Sequence, residues 1–302
     1  MPDRLLTQHR ITVPTGRTLK AETSGPTDGW PVFLLHGTPG SRNGPKPRNA
    51  LLHLMGIRLV TYDRPGYGGS TRHEGRRVVD AAADIVAIAD HLGIERFSVV
   101  GRSGGGPHAL ACAAGFPDRV HRTAVLVGIA PHNAAGLQWF RGMAEDNVRE
   151  YSTADHDLAI LVERLRLRAE RTVHDPETLI AFLRDQMAEA DHRVVNQVSI
   201  RRLLTDTYQE ALRAGPYGWI DDVLAFRHPW GFDLRAITGP VRLWHGADDT
   251  FSPLGHTRWL AERIQGAQVQ VLSNTAHFGA VEVLPELLPW LAEEPVRTDE
   301  GR

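Results

Sequence analysis

The sequence predicts an α/β protein built on a largely parallel sheet, and three observations carry that prediction. Short apolar runs rich in Val, Leu and Ile alternate with stretches of helical spacing from about residue 32 to 127, and again after residue 240. The apolar runs are continuous rather than alternating, as in strands buried on both faces. Several of them end in glycine-rich turns, and ligands gather at the carboxyl ends of such strands.

Taken in order, residues 9–13 and 17–23 form an opening hairpin around Pro14-Thr15-Gly16. A buried strand at 32–35 ends in His36-Gly37-Thr38-Pro39-Gly40-Ser41, and a short helix is expected at 49–54. A strand at 58–62 ends in Asp63-Arg64-Pro65-Gly66-Tyr67-Gly68-Gly69-Ser70. Helical spacing over 78–92 stops at Gly93, as a glycine just past a helix end should. Residues 97–100 form the next strand, 108–114 an Ala-rich helix and 123–127 a further strand.

From about residue 131 to 233 that rhythm breaks. Helical patterns take over at 155–171, 176–190 (with Asp175 as cap) and 194–214, the last stopped by Gly215-Pro216. Strands return at 241–244 and 269–272, with a helix at 257–264 between them. The helical block therefore reads as an insertion between two sheet strands, giving a core domain of 1–130 and 234–302 and a helical lid of 131–233. Residues 295–302 are expected to be disordered.

At 302 residues, 42% hydrophobic and 23% charged, the chain can bury a sizeable core. A net charge of −2 excludes an electrostatic nucleic-acid binder. No apolar stretch approaches membrane-spanning length, so no membrane partner is expected. The one cysteine, Cys112, falls in an apolar helix, and no Cys/His spacing suits a metal. With no signal-peptide core near Met1, a cytoplasmic location is expected.

The chemistry is concentrated at Gly101-Arg102-Ser103-Gly104-Gly105, a G-x-S-x-G pattern between a strand and a helix. Such a turn strains the serine backbone and lifts its hydroxyl clear of both elements. Glycines flank it because Cβ atoms there would meet neighbouring backbone. Pro107 suits the first helical turn, where no N–H partner is lost. A Gly-rich phosphate loop is the competing reading, but the Lys-Ser/Thr of a P-loop is absent.

Together with His36-Gly37-Thr38-Pro39-Gly40, the Asp63–Ser70 loop, Gly246-Ala247-Asp248-Asp249-Thr250-Phe251-Ser252-Pro253 and Ala276-His277, this turn resembles the α/β-hydrolase superfamily, Ser-Asp-His branch. The resemblance spans nearly the whole chain. It implies a mostly parallel eight-stranded sheet flanked by helices, with a helical cap inserted after the sixth strand. It also implies the chain order nucleophile, acid, histidine: Ser103, Asp249 and His277. The spacing from Gly246 to Pro253 favours Asp249 over its neighbour Asp248, and Asp233 is a distant third. By the same resemblance the oxyanion hole is formed by the backbone N–H groups of Thr38 and Gly104, while His36 braces its loop. Ala276 departs from the glycine usual before the histidine.

Aromatic residues bunch at the two ends of the insertion. Trp139, Phe140, Tyr217 and Trp219 are expected to form an apolar pocket wall, or alternatively to pack the lid onto the sheet. Arg102 and His108 beside the elbow stay ambiguous, with a buried carboxylate-binding role open for Arg102. The expected activity is that of a cofactor-free serine hydrolase acting on an ester, thioester or lactone of a small, partly apolar molecule. Carbon–carbon bond hydrolases and iminopeptidases share the triad and remain open. So does a non-hydrolytic ligand-binding or biosynthetic protein on the same fold.

Overall fold

A computed structural model describes residues 6–293, so the expectation for 295–302 lies outside the described residues. Eight strands form one sheet: β1 (Thr7–Thr12), β2 (Thr18–Ser24), β3 (Trp30–Leu35), β4 (Ile57–Tyr62), β5 (Phe97–Arg102), β6 (Val120–Leu126), β7 (Val241–Gly246) and β8 (Gln268–Leu272). Their spatial order is β1-β2-β4-β3-β5-β6-β7-β8. The β1–β2 and β2–β4 pairings are antiparallel and all others parallel. The opening hairpin turns at Gly16, whose φ of 81° suits glycine alone among common residues.

The core helices are α1 (Asn49–Leu54), α2 (Asp80–His91) and α3 (Gly105–Gly115), followed near the end by α10 (Gly255–Ala261) and α11 (Ala280–Ala292). Between β6 and β7 run six helices: α4 (Glu145–His156), α5 (Leu158–His174), α6 (Glu177–Arg184), α7 (Glu189–Val195), α8 (Val198–Leu212) and α9 (Tyr217–Arg227). The three helices expected here are in fact six. Asp157, extended at φ −149°, separates α4 from α5 and caps α5 by accepting from the Ile160 N–H at 3.0 Å. The expected 176–190 helix breaks after Arg184 and resumes at Glu189. Neither α9 nor α11 is in the sequence reading. The α9 residues are buried almost all round, so no amphipathic period marks them. Pro285 and Pro289 sit inside α11 and disguise it.

Two apolar cores lie on opposite faces of the sheet. One packs α2 and α3 through Ile85, Ile88, Ala109 and Leu110; the other packs α11 through Leu284, Leu287 and Leu288. Cys112 is buried in the first, where burial pushes its thiol up from the ordinary range. The six inserted helices have a third cluster of their own, with Leu161, Leu165, Leu204 and Val223. Tyr67, Phe251 and Phe278 from the sheet's loops complete it. The β8 strand is an exposed edge, with Val269, Val271 and Leu272 open to solvent.

Candidate active site

Ser103 follows β5 directly and takes φ of 53°, a left-handed conformation unfavourable for any residue with a Cβ. Two contacts hold it there: the Ser103 N–H donates to the Leu126 carbonyl at 2.8 Å, and the Gly106 N–H donates to the Ser103 carbonyl at 2.8 Å. The turn closes only with glycine at both flanks. A Cβ on Gly101 would strike the Gly105 carbonyl, and one on Gly105 would strike the Leu35 carbonyl. The strain is thus imposed by the close approach of β3, β5 and α3.

Asp249 and His277 follow β7 and β8, the two neighbouring strands on one side. His277 Nδ1 lies 2.8 Å from Asp249 Oδ2. The other carboxylate oxygen accepts from the Phe251 N–H at 2.8 Å and the Ser252 N–H at 3.0 Å. Ser252 also donates its hydroxyl to the Val127 carbonyl at 2.6 Å, and His245 Nε2 stands 3.4 Å from Asp249 Oδ2. Burial alone would raise the Asp249 carboxyl, but His277, with hydrogen bonds from His245 and His277, holds it well below the carboxylate range. Asp248 is exposed and its N–H donates to the Thr275 carbonyl at 3.0 Å; Asp233 is exposed and caps Arg235. Only Asp249 of the three aspartates meets the histidine.

Ser103, His277, Thr38 and Gly104 line one cavity. The Thr38 loop is fixed from behind by Arg64, whose guanidinium donates to the carbonyls of His36 and Gly37. His36 Nε2 accepts from the Arg64 N–H at 3.1 Å, so it does brace this loop. Arg64 in turn is held by Asp222 of α9 at 2.6 Å. Asp222 also accepts from Arg76 at 2.6 Å, Tyr67 at 2.9 Å and the Thr38 hydroxyl at 2.5 Å. Burial works against that carboxylate, yet Arg64 and Arg76 hold it well below its ordinary value. His108 lies 3.5 Å from Asp222, and burial pulls its imidazole down to about 4.

The rest of the wall comes from the inserted helices. Asn147 and Glu150 of α4, Arg168 of α5, Phe182 of α6, Tyr208 of α8 and Trp219 of α9 line the cavity. Trp219 donates its indole N–H to Glu150 at 2.9 Å, and Arg168 stands 3.5 Å from Glu150 with its guanidinium over the Phe182 ring. The expected apolar wall is corrected here, since charged groups share it with the rings. Of the four aromatic residues proposed for it, Trp219 alone is among the lining residues. Trp139 is buried, donates to the Ala130 carbonyl at 2.9 Å and packs edge-on against Tyr151 and His256. Phe140 packs against Trp139 at the margin of the sheet's core. Tyr217 is 45% exposed under the Arg72 guanidinium. Trp139 and Phe140 thus follow the alternative expectation of packing, while the Tyr217 ring stands at the surface.

Asp191 of α7 has no counterpart in the sequence reading. It accepts from the Phe278 N–H at 2.6 Å, one residue past His277. Burial, opposed by the nearby His277, raises its carboxyl to about 6. No short motif marks Asp191, Glu150, Arg168 or Asp222, because helical spacing records only which face is buried.

The family described as alpha/beta hydrolase fold matches residues 31–282. A 2-hydroxymuconate semialdehyde hydrolase of Pseudomonas putida is 26% identical over 84% of this chain and 83% of its own. A proline iminopeptidase of Arabidopsis thaliana is 37% identical, over 41% of this chain and 33% of its own. Among solved structures, an enol-lactonase from Burkholderia xenovorans superposes with a TM-score of 0.67 at 19% identity, covering 93% of this chain and 96% of that one. Among the described residues, no helix is long and apolar enough to cross a membrane.

Proposed function

Because the chain belongs to the alpha/beta hydrolase fold family, we propose that it is a cofactor-free serine hydrolase that cleaves an ester, thioester or lactone of a small molecule through an acyl-enzyme. The observation that carries this reading is the strained Ser103 opening onto the same cavity as His277, which Asp249 orients from behind. A serine hydroxyl is a weak nucleophile until a base removes its proton. With Nδ1–H given to Asp249, His277 presents an unprotonated Nε2 to that task. Ser103 Oγ attacks the substrate carbonyl as its proton passes to His277. The carbonyl electrons move onto oxygen, where the Thr38 and Gly104 N–H groups receive the charge. Collapse expels the leaving group, which takes the proton from His277. Water, deprotonated by the same imidazole, then releases the acid and restores Ser103.

In this reading residues 131–233 act as a cap, closing the cavity with Glu150, Arg168, Tyr208 and Trp219. A second reading, carbon–carbon bond hydrolysis with the same groups, is favoured by the likeness to the Pseudomonas putida protein across 84% of the chain. The iminopeptidase alternative rests on less than half of the chain. Labelling with a fluorophosphonate probe tests the serine chemistry: labelling is expected, and is lost in Ser103→Ala. A panel of p-nitrophenyl esters then separates the two readings, since an esterase turns them over with kcat well above the background of a misapplied substrate. A protein that neither labels nor turns over any ester is not the hydrolase proposed.

A further inference from the structure

The structure assigns to Arg102, the residue immediately before Ser103, the binding of a substrate carboxylate: the guanidinium is an anion site built into the wall of the reaction cavity. This inference rests on the hydrolase reading for its biological meaning, but its physical basis is separate.

Arg102 lines the cavity together with Ser103, and it also lines a smaller chamber behind the Thr38 loop, bounded by His36, Ser41, Thr61 and Thr207. Its Nη2 lies 3.9 Å from the point a Cβ on Gly37 would occupy, and Ser103 Cβ lies 3.4 Å from the same point. The charge and the nucleophile's carbon therefore border one small space that the absent side chain of Gly37 leaves open. A ligand seated there touches both.

What singles Arg102 out is the lack of any answering charge. The buried arginines are all paired: Arg42 with Asp63 and Glu210, and Arg64 and Arg76 with Asp222. Arg168, the second arginine of the cavity, has Glu150 and the Phe182 face. Among the described residues the Arg102 guanidinium has no carboxylate partner, and the one titratable group acting on it is Tyr208. A guanidinium stays charged at any physiological pH, and Arg102, part-exposed where Arg42, Arg64 and Arg76 are buried, presents that charge at the cavity wall with no carboxylate to meet it. Burial does pull its proton affinity below the ordinary arginine value, with Tyr208 drawing it partly back. A ligand carboxylate would supply the missing partner.

The ligand chemistry follows from the charge count and the shape. One planar guanidinium matches one planar carboxylate through two parallel N–H···O bonds. A phosphate dianion would bring a second negative charge that no remaining cation in the cavity answers, because Arg168 is already neutralised by Glu150. The proposed substrate is thus a carboxylate-bearing ester, thioester or lactone, with the acid group a short distance from the reacting carbonyl.

The test measures binding without turnover, so it stands apart from the hydrolase reading. Ser103→Ala protein is titrated calorimetrically with butyrate and with butyramide, its uncharged analogue of nearly equal shape. Butyrate is expected to bind at least about tenfold more tightly, because the amide leaves the guanidinium unanswered. Adding Arg102→Gln is expected to erase that preference, and Arg102→Lys to restore part of it. Folding is read independently: the Arg102 guanidinium makes no ion pair and is part-exposed, so in ligand-free protein Arg102→Met is expected to leave Tm unchanged or raise it. Failure of butyrate to bind, equal binding of acid and amide, or a preference that survives Arg102→Gln would each overturn the assignment. So would a fall in Tm for Arg102→Met, which would show that the guanidinium holds the fold together. Loss of fluorophosphonate labelling, by contrast, bears only on the hydrolase reading.

Discussion

On the sheet side of the cavity, Thr38, Ser103 and His277 sit on turns that follow β3, β5 and β8, each within five residues of its strand. On the other side, eight lining residues come from five different helices, α4, α5, α6, α8 and α9. The sheet wall is held by short-range backbone contacts, such as the Gly106 N–H on the Ser103 carbonyl. The helical wall is held by side-chain pairs between distant segments, such as Trp219 with Glu150. The groups proposed for bond-breaking therefore rest on turns that follow their strands directly. Those facing the remainder of the substrate rest on the wall whose geometry depends on how helices pack. Asp222 joins the two, since an α9 carboxylate holds the arginine that fixes the Thr38 loop.

The comparison is broken most severely at the sheet wall. Asp249→Asn is expected to lower kcat by about 10⁴-fold, because an asparagine N–H facing Nδ1 favours the wrong imidazole tautomer. Asp248→Asn, at an exposed turn, is expected to stay within about tenfold. Ester turnover by both variants checks the pair, and the reverse ranking would remove Asp249 from its role.

Next in size is the joint. Asp222→Ala leaves Arg64 and Arg76 enclosed without a counter-charge, an expected loss of about 3–5 kcal/mol in stability. Thermal unfolding should show a fall in Tm of roughly 10 °C. Since Arg64 would no longer be held against the His36 and Gly37 carbonyls, kcat should fall as well, and by more than KM rises. If kcat per folded molecule is unchanged, the two walls are independent after all.

A smaller effect separates the walls by pH. Asp191 has its native carboxyl raised from 3.8 to about 6, so the native state binds this proton more tightly than the unfolded chain does. Its contribution to stability is greatest below about pH 4, declines as pH rises toward 6, and is constant above that. Denaturant unfolding of Asp191→Asn, whose side chain cannot ionise, should therefore gain on the wild type by up to about 2–3 kcal/mol between pH 4 and 7. A difference that does not change across that interval would mean that Asp191 titrates normally.

The smallest contrast lies within the aromatic residues of α9. Trp219→Ala removes a cavity contact and the N–H that Glu150 accepts, for an expected loss of about 1–3 kcal/mol in kcat/KM that varies with the substrate. Tyr217→Ala, exposed two residues earlier, should change stability by about 0.5 kcal/mol or less and leave substrate preference as it is. Equal effects at the two positions would place Trp219 in packing rather than in the wall.

Much of the sheet wall was legible because its signals are local. The hairpin at Gly16, the helix end at Gly93 with φ 67°, and the strand runs each need only a few adjacent residues. The helical wall was legible only as a change of rhythm. Hydrophobic spacing located buried faces at Leu161, Leu165 and Leu204, but it cannot say which neighbour a face meets. Trp139 shows the difference: its apolar character was plain, and its partners Ala130 and His256 were not.

Residues 101–105 dictate a strained serine wherever they stand between a strand and a helix, because glycines two positions to either side of Ser103 make that turn possible and larger residues forbid it. The spacing from Gly246 to Pro253 likewise points to Asp249 rather than Asp248, its neighbour on the same turn, and Asp249 is the one that meets His277. Tertiary structure decided everything that depends on two charges meeting. Arg64 is answered by Asp222 from 158 residues away, and nothing near either residue in the chain announces the pair. Arg102 is unanswered for the same reason, since whether a guanidinium has a partner is a property of the space around it. Turn geometry is a short-range steric constraint carried by neighbours in sequence, whereas charge compensation in a low-dielectric interior is settled only when the chain has closed on itself.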